Sequence, residues 1–210
     1  MGAVAAQLLG VPRVRLYQSC VFIKEPGMGD TNWHSDLNMV PLDTNAFVTA
    51  WLPLRSLRAA DAALAFASGS HRDFALPYWQ NEEGLAAGLQ ARYEVERYAP
   101  LALGDATWHA GWTLHSAPGQ PSSEPARVAL AASYFADGAR RLTSRCVGIA
   151  TCSAHCVQRA AHVHAWRRHL RRQPHAEDAA TYAEWLPSIR EGAPARHAAL
   201  PLVYDAGGGS

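Results

Sequence analysis

An all-β sandwich or barrel is the fold class that this chain predicts, on three observations. Short apolar runs rich in β-branched and aromatic residues recur at regular intervals before residue 140. Gly/Pro turn signals separate them, and helical periodicity is scarce in the same region. With 210 residues, 49% hydrophobic and 18% charged, the chain reads as one globular domain over 1–210, large enough to bury a core.

The elements follow in order. RVRLYQSCVFIK, residues 13–24, reads as a strand ending at the Pro26-Gly27 turn, with Cys20 as a small apolar member. GMGDTNWHSDLNM is a loop, the kind of segment that carries function when a rigid scaffold holds it. AFVTAWLPL, 46–54, is a second strand, and ADAALAFASGSHRDF reads as turn, strand and turn. YWQNEEGLAAGLQ, 78–90, predicts a loop with a short helix, where a substrate lid could lie. RYEVERYA, 92–99, alternates Tyr93, Val95 and Arg97 against Glu94, Glu96 and Tyr98, as an edge-like strand does. Leu101, Leu103, Ala106 and Trp108 begin a further strand-like pattern. ARVALAASYF then closes the β region as a short, buried run.

Chemistry concentrates at two places. In an extended segment alternate residues share a face, so His34 and Asp36 point the same way. His-x-Asp with a distant histidine, His115, forms the two-histidine, one-carboxylate set that holds non-haem Fe(II) and leaves positions open. His109 is the rival for the third place. Arg127 opens the last apolar strand, and a cation there is costly to bury unless it meets an anion, of the protein or of a bound acid.

The pieces FIKEPG, WHSD, VTAWLPL, LAFASGSHR and GDATWHAGWTLH, followed by Arg127, resemble the phytanoyl-CoA dioxygenase family of Fe(II)/2-oxoglutarate oxygenases. The likeness runs from about Leu16 to Ala136 and resumes near Trp185 to Tyr204. It implies a double-stranded β-helix, a cupin-like jelly roll with peripheral helices. It implies His34, Asp36 and His115 as metal ligands, His115 preferred over His109 because Arg127 follows it at the family's interval. Arg127 would pair with the far carboxylate of 2-oxoglutarate, with Trp51 and Cys20 beside the cosubstrate. Fe(II), 2-oxoglutarate and O2 are the implied cofactors, and hydroxylation of a small-molecule or acyl substrate, with release of succinate and CO2, the implied reaction. Asp36 fills the carboxylate site that a halogenase of this family leaves for halide. His71, in the Gly-Ser-His signature, looks structural. Relatives often carry a serine two residues after the distal histidine; here that position is Ala117, which bears on cosubstrate affinity. Two other classes stay open: a jelly roll with a different metal, acting as hydrolase or isomerase, and a non-catalytic binding module.

Of the 19 basic residues only Lys24 is lysine, a bias that matches the alanine-rich composition and gives no reason to expect nucleic acid as a partner. No run reaches the roughly 18 apolar residues of a membrane span. The first residues lack a basic signal-peptide n-region, so the expectation is a cytoplasmic protein with a small-molecule substrate and no membrane partner. Residues 138–176 stand apart: arginines, histidines, Cys146, Cys152 and Cys156, and no acidic residue. Their cysteine and histidine spacing lacks the paired pattern of a zinc site. The stretch at about 144–176 reads as an insertion that could be deleted at little cost in stability. Within it Val157, Ala160, Val163, Trp166 and Leu170 predict one stripe of an amphipathic helix.

Overall fold

The computed structural model of the chain describes residues 1–73, 88–89, 91–143, 154–172 and 176–208. Its strands are β1 (Arg13–Lys24), β2 (Thr31–His34), β3 (Leu42–Asp43), β4 (Phe47–Pro53), β5 (Ala65–Ala67), β6 (Val95–Arg97), β7 (Thr107–Ala110), β8 (His115–Ala117), β9 (Arg127–Ala136), β10 (Arg140–Arg141) and β11 (Leu202–Asp205). The helices are α1 (Gly2–Leu9), α2 (Ala154–Arg171) and α3 (Ala176–Ala183).

A five-stranded sheet has the order β11-β1-β9-β4-β7, and a four-stranded sheet the order β2-β8-β5-β6. A short ladder joins β10 to β3, and the pairings are antiparallel. β9 holds the centre of the larger sheet, paired with β1 on one side and β4 on the other. Ala129, Ala131, Ala132 and Phe135 of β9 are buried, the alanines leaving room for what packs on the faces of the sheet. β6 lies at the edge of the smaller sheet, as its alternating charges predict.

The largest apolar cluster sits behind the functional end. Leu37, Leu42, Phe47, Trp112, Phe135 and Trp185 meet there, with Val163, Ala165 and Trp166 of α2. α2 thus packs into the core through Val163, Ala165 and Trp166. The predicted stripe is turned. Val163 and Trp166 are buried, but Leu170 is 47% exposed, and Ala161, His162 and Ala165 take the inner face instead. A polar residue can face inward here because His162 Nε2 lies 3.0 Å from the Val40 carbonyl and its ring stands edge-on to Trp112. Burial pushes the His162 pKa down to about 4, with Val40 and Asp43 opposing.

β7 is shorter than expected. Leu101 forms only an isolated bridge to Leu57, and Leu103 is 68% exposed above a turn in which Asp105 accepts the Ala102 N–H. Most of the anticipated lid, and Cys146 and Cys152, lie outside the described residues. No helix among the described residues is long and apolar enough to cross a membrane.

Candidate active site

β2 and β8 pair so that His34 stands directly opposite His115, with ring centroids 4.2 Å apart. The strand ends at His34, and a 3-10 turn beginning at Asp36 folds the carboxylate back toward both rings. One ligand atom from each of His34, Asp36 and His115 lies within 4.8 Å of the others, a spacing that fits a single ion. The three side chains thus come together as predicted.

Hydrogen bonds on the far side of the rings set which nitrogen is free. His34 Nδ1 lies 2.8 Å from the Asn32 carbonyl, and His115 Nδ1 lies 3.0 Å from the Thr113 carbonyl. A carbonyl can only accept, so each Nδ1 carries the proton and each Nε2 keeps a lone pair for a metal. Burial drives the His115 pKa well below the ordinary histidine value, and His34 and His109 add to the shift, so the ring is neutral. Burial alone would raise the Asp36 pKa, but His115, His109 and His34 together hold it well below the usual carboxylate range. The set offers two imidazole nitrogens and one carboxylate, the donor chemistry that suits Fe(II).

His109 is close but different. Its ring is 4.3 Å from that of His115, its Nε2 is 3.2 Å from Asp36 Oδ2, and its buried Nδ1 has no partner. Without an acceptor at Nδ1, the proton belongs on Nε2, which donates to Asp36 Oδ2.

The larger sheet forms the other wall of an open cleft. Phe22, Leu64, Trp51 and Ala131 line it, together with the metal-site residues and Arg127. Arg127 is 5% exposed and its Nε is buried with no hydrogen-bond partner. Its guanidinium lies 5.4 Å from the centre of the Trp51 ring, and burial lowers its pKa. Glu124, the nearest acidic residue along the preceding loop, pairs with Arg58 instead. Among the described residues no carboxylate meets Arg127.

Cys20 shares the inner face of β1 with Gln18 and Phe22, and its cross-strand partner Ala131 lines the cleft. Its own side chain packs against the apolar cluster of Trp51, Ala129 and Ala131, at the border of the cleft rather than among its lining residues. Ala117 lines the cleft where relatives place the serine. Trp33 packs against Ala67, Leu89 and Leu114, away from the ligands. In the Gly-Ser-His turn the Ser70 hydroxyl accepts the Leu114 N–H at 2.9 Å, fixing the approach to His115.

Sequence reasoning missed Lys24. It is 5% exposed, directly across from Arg127, and donates to the Pro118 carbonyl at 2.8 Å. Two cations thus adjoin at this end of the cleft. The even spacing of Gln18, Cys20, Phe22 and Lys24 along β1 was the available signal.

A model of the phytanoyl-CoA dioxygenase (PhyH) family matches residues 1–128. Among curated proteins none matches in sequence. Among solved structures, the non-haem α-ketoglutarate-dependent epimerase SnoN from nogalamycin biosynthesis is 23% identical with a TM-score of 0.60, over 96% of this chain and 67% of its own. The non-haem α-ketoglutarate-dependent carbocyclase SnoK from the same biosynthesis is 21% identical with a TM-score of 0.64, over 96% and 66%. EctD from S. alaskensis, solved with 2-oxoglutarate and 5-hydroxyectoine, is 21% identical with a TM-score of 0.57, over 67% and 50%. These likenesses establish the jelly-roll fold, and the chain spans about two thirds of the length of SnoN and SnoK.

Proposed function

The chain belongs to the phytanoyl-CoA dioxygenase family, and from that premise we propose that it hydroxylates a small-molecule substrate in an Fe(II)- and 2-oxoglutarate-dependent reaction, as one domain in which 144–176 is an insertion grown into the core. His34, Asp36 and His115 would hold the metal, the histidines through Nε2 and Asp36 through its carboxylate. The bound iron supplies oxygen activation coupled to decarboxylation of 2-oxoglutarate to succinate and CO2.

The other residues bind, orient and exclude. Arg127 takes the far carboxylate of 2-oxoglutarate through its planar fork, which fixes orientation as well as charge. Trp51 supports the guanidinium from beneath, and Cys20 packs beside Trp51. Phe22, Leu64 and Ala131 give the cleft an apolar wall that keeps water from the reacting carbon.

The observation that carries this reading is a buried arginine without an anion in the same cleft as a ready metal-ligand set. Succinate formation by the purified protein tests it. Formation that requires both Fe(II) and 2-oxoglutarate is the expected result. No turnover of 2-oxoglutarate across a panel of small-molecule and acyl substrates, with iron bound, would favour a binding module instead.

A further inference from the structure

The site holds a second layer that the ligand set does not use. His109, Thr49, Ser133 and Gln18 occupy one rung across four neighbouring strands of the larger sheet: Thr49 pairs with His109 on one side and Ser133 on the other, and Ser133 pairs with Gln18. Their side chains all line the cleft beneath Asp36. Thr49 Oγ1 donates to Asp36 Oδ2 at 2.6 Å, and His109 Nε2 approaches the same oxygen at 3.2 Å. With its own proton committed to Asp36, Thr49 accepts the Ser133 hydroxyl at 2.9 Å. The other oxygen, Oδ1, faces the His115 Nε2 at 3.6 Å, where a shared ion would stand between them.

We infer that His109 and Thr49 are positioning residues that occupy Asp36 Oδ2 and so keep the carboxylate a one-oxygen ligand; this rests on the metal reading above. The physical argument is a competition for lone pairs. A carboxylate with both oxygens free can close onto a metal through both, as carboxylate ligands do. An oxygen that already accepts two hydrogen bonds in a buried site must give them up first, and the donors would be left unpaired. Keeping one oxygen back preserves an open coordination place. A chelating cosubstrate and oxygen together need all three that the facial set leaves.

The unpartnered His109 Nδ1 fits this role. In the ligand histidines the backbone holds Nδ1 and frees Nε2; in His109 nothing holds Nδ1, and Nε2–H points at Asp36. Thr49 and His109 therefore act through Asp36 and not on the metal.

Mn(II) is the probe, with bound water counted by solvent-proton relaxation, so no turnover is needed. The parent protein is expected to bind one Mn(II) per chain carrying about three exchangeable waters. The double variant Thr49→Val/His109→Phe, which keeps shape and removes both donors, should bind Mn(II) with about two, while Thr49→Ser retains the parental count. Should the double variant not fold, Thr49→Ala/His109→Leu, which removes the same two donors, reads the same quantity. An unchanged water count after loss of the donors would overturn the inference and leave the metal site intact. Failure of the parent to bind Mn(II), or binding that survives His34→Ala, would overturn the metal reading and this inference with it.

Discussion

The two ends of the cleft are balanced in opposite ways. At the metal end every charge has a protein answer: Asp36 lies among three imidazoles and a threonine hydroxyl, and both ligand histidines are tied to carbonyls. At the far end Arg127 and Lys24 stand side by side, and the guanidinium Nε has no partner. A fold selected for stability alone would not leave a buried cation unanswered, since desolvating it costs several kcal/mol. On the proposed reading, the metal end is preorganised and 2-oxoglutarate completes the arginine end.

The most severe way to break the preorganised end is to remove a ligand. His34→Ala and Asp36→Ala should each abolish stoichiometric Fe(II) binding while circular dichroism still reports a folded β protein. His115→Ala should do the same, whereas His109→Ala should retain iron. Metal analysis after desalting checks all four, and iron retained by the first three would refute the ligand set.

At the open end, Arg127→Ala should weaken 2-oxoglutarate by roughly 2–5 kcal/mol, the range for truncating one member of a buried charge pair. Arg127→Lys should recover only part, because an ammonium lacks the two-pronged contact. Anaerobic titration of the Fe(II) protein, followed by its charge-transfer band, gives both constants. Equal affinity in parent and Arg127→Ala would make the arginine structural.

A third change tests what supports the metal end from behind. His162→Ala empties a buried site and strands the Val40 carbonyl, four residues from Asp36, at a cost of about 2–4 kcal/mol in thermal or urea unfolding. The same residue sets a pH dependence. Its folded pKa, about 4, lies below its unfolded value, so the unfolded chain takes up a proton that the folded chain refuses. Its share of stability is complete above about pH 6.5 and is lost as pH falls toward 4, by roughly 3 kcal/mol at most. In His162→Ala the slope of stability between those values should be shallower; an unchanged slope would assign it elsewhere. The smallest effect belongs to Trp51→Leu, which removes the ring beneath the guanidinium. It should cost 2-oxoglutarate affinity about 0.5–2 kcal/mol, by the same titration.

What was legible in the sequence follows the same divide. His34 and Asp36 are two residues apart, and Arg127 is the one cation in an apolar run, so local spacing exposes them. The roles of Thr49 and Ser133 depend on which residues meet across strands, and the spacing of 84 positions between them carries no trace of that. His162 was hidden for another reason: a histidine counts as polar in any helical pattern until a carbonyl and an indole are there to receive it. Lys24 escapes notice because a single lysine among many arginines looks like composition, and only the pairing with Arg127 shows it to face inward on β1.

The placement of the four-strand rung under Asp36 has a consequence for the newly made chain. The ligand histidines sit on the smaller sheet while the oxygen that Asp36 holds back is gripped by the larger one. A slip of one residue in β4 would turn Thr49 to the opposite surface. A chain caught in such a state would keep His34 and His115 facing each other on the smaller sheet but lose the Thr49 hydroxyl that holds Asp36 Oδ2. On the proposed reading, the register of the larger sheet thus decides how a metal set carried mainly by the smaller sheet is held.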